Sequence, residues 1–376
     1  MMKIAIYTLA SDLHDPERVK NLAQEFLGTL RVEYELKGTD FSDFGSHALD
    51  VIYICTGGTE GVFKSMLPEL RQRSSRPFYI LASGKSNSLA ASMEILAYLR
   101  HNNINGEIIH GDEEYVNYRL KLLELSGEAK QKLNGSRYGI VGAPSDWLIA
   151  SQTDRTIVKE RLGIDLIDIP IQELFDDLPT NKSIYAGLEK IIETYQLQGF
   201  TLRCFDLIER LNDTGCLPLA RLNAAGYVAG CEGDIPAMLS MAIVRSLFGI
   251  SGFLANPATI NPETGELLFA HCTIPLDMVE RYELDTHFES GVGTGVRGFM
   301  KEGPVTIFKV SGDLKRHYIA EGRLVMSLAL PNMCRTQQVI QLADRTQAHY
   351  FLNDPIGNHH IILPGHHSDE LEELLK

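Results

Sequence analysis

The stretch DVIYICTGGTEGVFKSMLPELRQRSSRPFYILASGKSNSLAASMEILAYLR, residues 50–100, decides the fold class. It holds two short apolar runs, DVIYIC and PFYILA. Each ends in a loop of glycines and small polar residues, and each is followed by a segment of helical length and pattern, Thr59 to Arg73 and Asn87 to Arg100. Near-continuous apolar strands alternating with helices predict a parallel sheet buried on both faces. The alternation extends outward, with KIAIYTL and Pro16 to Leu30 before it and GEIIH and Glu113 to Leu125 after it. Residues 1–133 therefore read as an N-terminal Rossmann-like α/β domain, with the polar segment GEAKQKLNGS at 127–136 as a linker.

The pattern then restarts. RYGIVGA, a helix through Trp147 and Arg161, DLIDIPI, a helix through Leu188 to Tyr195, FTLRCF, YVAGC and a helix from Ile235 to Phe248 predict a second Rossmann-like α/β domain over residues 134–250. After Gly249 come β-prone runs separated by turn residues, LLFAHCT, YELDTHF, VTIFKV, RHYIAEGRLV, HYFL and HHIILP, closed by a helical DELEELLK. Residues 251–376 thus read as a β-rich, barrel-like C-terminal domain.

Composition narrows the function classes. The 376 residues carry 35 Lys+Arg against 49 Asp+Glu, a net charge of −14, which repels phosphate backbones and anionic lipid and argues against a nucleic-acid partner. The apolar N-terminal run turns polar at Ser11 and Asp12, and Met238 to Ala255 is interrupted by Arg245, so neither a secretion signal nor a membrane span is expected. Six scattered cysteines without a CxxC pair point to a reducing, cytoplasmic setting.

CEGD, residues 231–234, lies between an expected strand and an expected helix, where open α/β sheets collect ligands. Asp234 either joins a site or merely caps the helix, with Pro236 in its first turn. Cys204-Phe205-Asp206 repeats the placement, so Asp206, Glu232 and Asp234 would emerge at one sheet edge. Converging carboxylates repel unless a proton or cation lies between them, which makes a divalent metal a natural guest. Eight of the twelve histidines follow residue 270. His271 ends a strand in FAHCT. His359 and His360 open another in GNHH, where alternation allows only one of them to face a given cleft. Mixed carboxylate and imidazole donors suit Mn²⁺, Fe²⁺, Co²⁺ or Zn²⁺. The loop with Gly58 and Thr59, the loop with Lys85, and Arg335 in MCRTQ are candidates for hydroxyl or anion binding, or else close local turns. Gly293-x-Gly295-x-x-Gly298 matches a dinucleotide fingerprint but is followed by Gly303-Pro304 and a strand, so no nicotinamide cofactor is expected.

CEGDIPAMLSM, with the upstream CFD and the downstream HCTIP and GNHH, resembles the L-fucose isomerase and L-arabinose isomerase superfamily, specifically its shorter fucose isomerase-like members. The resemblance implies an aldose–ketose isomerase: a manganese or other divalent site formed by Asp234, by Asp206 where the family usually has glutamate, and by His359 or His360. It further implies Asp206 or Asp234 as the proton shuttle of a cis-enediol mechanism, with Glu232, His271, Gly58, Thr59, Lys85 and Arg335 binding the sugar. The partners implied are a small sugar substrate and further copies of the chain in a homo-oligomer, with sites near subunit interfaces. The alternative is a sugar-binding or regulatory protein that kept the fold while its catalytic site decayed.

Overall fold

The computed structural model describes residues 4–181 and 183–376, so Lys3, the first residue of the expected strand KIAIYTL, lies outside the described residues. The chain divides into two compact units, Met1–Gln131 and Lys132–Lys376.

In the first unit, β1 (Ile4–Leu9), β2 (Tyr34–Gly38), β3 (Leu49–Ile54), β4 (Phe78–Ala82) and β5 (Gly106–Ile109) form a parallel sheet ordered β2-β1-β3-β4-β5. Four helices cover it: α1 (Pro16–Leu27), α2 (Glu60–Arg73), α3 (Ser88–His101) and α4 (Glu113–Leu133). The alternation of side chains along each strand builds two cores. Ala5, Tyr7, Ile52 and Ile54 pack with Phe63, Leu67, Ile95 and Leu99 of α2 and α3. Ile4, Ile6, Val51 and Tyr53 pack with Leu27, Val116, Leu120 and Leu123 of α1 and α4. Every residue of β3 is consequently buried, the reason its sequence lacks polar alternation. The expected linker at 127–136 is corrected in part: α4 continues through it to Leu133, because Ala129 and Leu133 are buried, and Gly127 lets the helix approach the Ala48 carbonyl where a Cβ would collide.

The second unit opens with β6 (Arg137–Val141), α5 (Arg155–Leu162), β7 (Asp165–Ile169), α6 (Gln172–Asn181), α7 (Ile184–Tyr195), β8 (Gly199–Leu202), α8 (Phe205–Leu211), α9 (Cys216–Ala224), β9 (Val228–Gly230) and α10 (Ile235–Phe248). Its strands form a parallel sheet ordered β7-β6-β8-β9. No helix runs through Trp147, contrary to expectation. Residues 142–154 form a loop, stitched by Ser145 N–H to the Glu232 carbonyl, and α5 starts only after Asp154, whose carboxylate accepts from the N–H groups of Thr156 and Ile157.

A closed antiparallel barrel completes this unit. Its strands are β10 (Phe253–Asn261) and β11 (Glu266–His271), then, after the separate hairpin of β12 (Val279–Asp285) and β13 (Gly295–Met300), β14 (Gly303–Val310), β15 (His317–Leu328), β16 (Thr336–Leu342) and β17 (His360–Pro364). Around the barrel the order is β10-β11-β16-β15-β14-β17, and Phe253, Phe269, Ile307, Leu324, Ile340 and Ile362 fill its core. Full closure leaves the barrel without an exposed strand edge. HYFL, expected as a strand, is instead the short helix α11 (His349–Asn353): Phe351 is buried and Tyr350 half-buried while His349 and Leu352 face solvent. The C-terminal helix is α12 (Ser368–Leu375). Gly298 lies inside β13, which β14 follows.

Candidate functional site

The site grows from the turn that follows β9. Glu232 and Gly233 both adopt left-handed backbone, with φ of +61° and +69°. Gly233 is required there, since a Cβ would strike Ala143 and Pro144. Glu232 is a non-glycine residue in a sparsely populated conformation, the kind of strain that surrounding structure must impose. Ser145 N–H holds its carbonyl at 2.9 Å and Trp147 Nε1–H donates to its Oε2 at 2.7 Å. Two residues on, Asp234 does cap α10: its Oδ1 accepts from Ala237 N–H at 2.9 Å, with Pro236 in the first turn.

The barrel supplies the histidines. β10 pairs on one side with β11, Asn256 opposite Ala270, and on the other with β17, Ala255 opposite His360. This register brings His271, at the end of β11, and His359, just before β17, to one rim with ring centroids 5.4 Å apart. His271 Nε2 lies 3.6 Å and His359 Nε2 3.5 Å from Glu232 Oε1. The opposite ring nitrogens are already engaged: His271 Nδ1 with Thr273 Oγ1 at 2.8 Å, and His359 Nδ1 with Asp234 Oδ2 at 2.8 Å. His359 Nε2 is buried with no hydrogen-bond partner. One ligand atom each from Glu232, His271 and His359 falls within 4.8 Å of the others, the only such metal-competent group among the described residues.

Alternation separates the tandem histidines. His360 points the other way, into the barrel, among Phe269, Tyr318, Tyr350 and Phe351, where Nε2 meets Tyr350 Oη at 3.0 Å and Nδ1 meets the Asn358 carbonyl at 2.9 Å. Burial, aided by the Lys309 charge, pushes its pKa down to about 3, so it stays neutral. His359 behaves oppositely. Burial alone would lower its pKa, but Asp234 and Glu232 raise it to about 9. Glu232 in turn, despite burial that would raise it, is held well below the usual carboxylate range by the two imidazoles. A divalent cation held among these groups would take the place of a proton.

The converging group differs from the expected one. Glu232 and His271, expected to bind sugar, and His359, one of the two histidines expected as a metal ligand, are the residues whose donor atoms converge. Asp234 sits behind His359 with both oxygens engaged. Asp206 is held by Arg203 Nε at 3.0 Å and does not belong to the group. Arg335 is spent on Thr286, Nε donating to its carbonyl at 2.7 Å. Gly58, Thr59 and Lys85 belong to the first unit, where Thr59 Oγ1 donates to the Thr56 carbonyl and Lys85 pairs with Glu25 at 2.8 Å.

A small cavity of about 30 Å³ abuts Glu232 and His271, lined also by Phe205, Asn256, His287 and Glu289. It shares Phe205, Glu232, Asn256 and Glu289 with an outer pocket of about 290 Å³ that adds Trp147 and Asn358. Trp147 and Phe205 meet edge to face at 4.7 Å and form its aromatic wall. The Asn256 side-chain carbonyl is buried without a partner. Reading the sequence missed Trp147, Phe205, Asn256, Glu289 and Asn358. Phe205 and Asn358 lie within motifs that were recognised, CFD and GNHH, and Trp147 is the chain's single tryptophan, but a pocket gathered from the start of α8, a residue of β10 and three loops leaves no periodicity in the sequence.

No protein-family profile matches the chain. Two curated proteins are similar to it, the sulfoquinovose isomerases of Priestia aryabhattai and Priestia megaterium. Each is 26% identical over 214 residues, covering 48% of this chain and 48% of the relative. The match thus spans about half the length of these relatives. The chain combines two parallel α/β sheets and a closed antiparallel barrel with one buried Glu-His-His group at the rim where sheet and barrel strands end.

Proposed function

We propose that the protein is a metal-dependent aldose–ketose isomerase whose metal is held by Glu232, His271 and His359. The observation that carries this reading is the fully buried, unpartnered Nε2 of His359, aimed beside His271 Nε2 at one carboxylate while both Nδ1 atoms are fixed from behind. A lone structural histidine would use both nitrogens. Two imidazoles and one carboxylate, each oriented by an outer partner, form a three-ligand set that leaves coordination positions open for a substrate. The donors suit Mn²⁺, the metal we favour, as well as Fe²⁺, Co²⁺ or Zn²⁺. Bound there, such an ion supplies Lewis-acid polarisation of a sugar carbonyl and its neighbouring hydroxyl.

The chain's own residues do the rest. Asp234 accepts from His359 Nδ1–H and so keeps Nε2 unprotonated toward the site. Trp147 and Phe205 offer an apolar wall to the C–H face of a sugar ring or chain, and Asn256 and Asn358 offer amides to its hydroxyls. Isomerisation moves a proton between C1 and C2 through a cis-enediol, which needs a carboxylate free of ligand duty. Glu289, lining both pockets, fits that role, which is typically worth about 10²- to 10⁴-fold in rate. The sulfoquinovose isomerases that the chain partly matches support the reaction class, isomerisation of a free sugar.

The test is metal content together with ketose formation across a panel of aldoses, sulfonated and unsulfonated, before and after chelation. Turnover lost with EDTA and restored by Mn²⁺ supports the reading. Turnover indifferent to chelation, or a protein that binds no divalent ion, ends it. The engagement of Asp206 by Arg203 favours one second reading, a sugar-binding protein with a decayed catalytic site, in which a sugar raises the Tm without any turnover.

A further inference from the structure

We propose that Cys204 and Cys231 are a peroxide-responsive dithiol that closes to a disulfide beside Glu232 and so switches off metal binding. Five of the six cysteines, Cys204, Cys216, Cys231, Cys272 and Cys334, line the small cavity next to Glu232 and His271. All six are free thiols. Cys204 and Cys231 are in contact, their sulfurs 2.9 Å apart. They emerge past the carboxyl ends of neighbouring parallel strands, β8 and β9, where Thr201 stands opposite Gly230. Bonded sulfurs lie about 2.05 Å apart, so closure asks for a shift of only about 0.9 Å.

Access selects the oxidant. Both thiols are buried, and the cavity beside them has room for one or two molecules the size of water. Hydrogen peroxide fits, whereas a glutathione disulfide does not. In the reaction, one sulfur attacks a peroxide oxygen, the O–O bond breaks, and the sulfur carries away OH as a sulfenic acid while one water leaves. The second sulfur then attacks the sulfenic sulfur, forming the S–S bond and expelling the second water. The two thiols give up two electrons and two protons, and the peroxide takes all four to become two waters.

The consequence for the site rests on the metal-centre reading above. Cys231 is joined directly to Glu232, whose left-handed backbone and Trp147 contact leave one narrow arrangement in which its carboxylate faces the two imidazoles. Drawing the Cys231 sulfur toward Cys204 turns that link and moves the carboxylate out of register.

The experiment treats the purified chain with hydrogen peroxide or with oxidised glutathione, maps cross-linked peptides by non-reducing mass spectrometry, and titrates Mn²⁺ by electron paramagnetic resonance. Peroxide, but not oxidised glutathione, is expected to give a Cys204–Cys231 cross-link two hydrogens lighter than the reduced pair. Mn²⁺ affinity should fall at least about tenfold, the scale of losing ligand orientation, and dithiothreitol should reverse both changes. Cys204→Ser should make Mn²⁺ binding insensitive to peroxide; if that variant does not fold, the dithiothreitol reversal in the unaltered chain decides. The dithiol is overturned if Cys204 and Cys231 stay reduced while Cys272 or Cys334 oxidise. The switch is overturned if the cross-link forms and Mn²⁺ affinity does not change. Failure of the reduced protein to bind Mn²⁺ would overturn the metal centre and the switch together, while the cross-link map still decides the dithiol.

Discussion

Replacing Asp234 by asparagine separates the two duties that the structure gives this carboxylate. One oxygen accepts the Ala237 N–H that starts α10 and the other accepts from His359 Nδ1. Asparagine has a single acceptor oxygen, so one bond must fail. If the cap survives, an amide N–H faces His359 and drives its proton onto Nε2, the atom needed for the metal. The loss of such an orienting partner typically costs about 10- to 100-fold in metal affinity. A second cost follows from Lys309, which is buried, donates to the His359 carbonyl at 2.7 Å, and has Asp234 as its compensating charge. Leaving a buried charge unpaired costs about 3–5 kcal/mol. At roughly 2–4 °C per kcal/mol for a unit of this size, the Tm should fall by about 6–20 °C. Adding Lys309→Met removes the stranded charge, so the double variant should regain much of the Tm without regaining Mn²⁺ affinity. Calorimetry and a paramagnetic Mn²⁺ titration read the two effects independently. Wild-type Mn²⁺ affinity in Asp234→Asn would refute the orienting role, and a double variant no more stable than the single would refute the charge pairing.

Three further outcomes are expected. Glu289→Gln should lower kcat by about 10²- to 10⁴-fold while leaving Mn²⁺ affinity in place, since Glu289 lines the pockets without joining the ligand group; an unchanged kcat would remove it as the proton carrier. Gly127→Ala should destabilise the first unit by about 1–3 kcal/mol in urea unfolding, because a methyl group there has only the rigid Ala48 backbone to push against. Burial raises the Asp50 pKa above 3.8 even though His47 and Tyr7 hydrogen-bond to it, so the folded state holds its proton more tightly than the unfolded chain does. Its contribution is therefore full at low pH and is lost as pH rises through the folded pKa. Asp50→Asn should gain stability relative to wild type as pH rises from about 4 toward 7, and a pH-independent difference would contradict this.

The α/β layers were legible because a strand buried on both faces cannot hide its composition: β3 and β4 read as apolar runs interrupted only by Asp50, and the helix between them follows directly. Errors fell where local composition and packing disagree. GEAKQKLNGS looks like a polar linker, yet buried Ala129 and Leu133, and Gly127 against the Ala48 carbonyl, keep it helical through Leu133. HYFL has β-prone residues, yet Phe351 and Tyr350 reach the barrel from one helical turn. The Trp147 segment has helical residues, yet the Ser145 bond to Glu232 holds it as a loop.

For the site, the chain alone pointed to CEGD, Asp206, His271 and the tandem histidines, because acids at a strand end and imidazoles on later strands are visible as residue types in order, while the pairing of Asp206 with Arg203, outside the converging group, is not. It also fixed that His359 and His360 must part, since successive residues in extended chain face opposite ways. Which of them meets the carboxylate depends on the β10–β17 register, a pairing of segments about a hundred positions apart. The division of labour within CEGD was likewise decided in three dimensions. A left-handed Glu232 faces the imidazoles and Asp234 stands behind one of them, because contacts from Ala143, Ser145 and Trp147 hold that turn, and no local pattern encodes them.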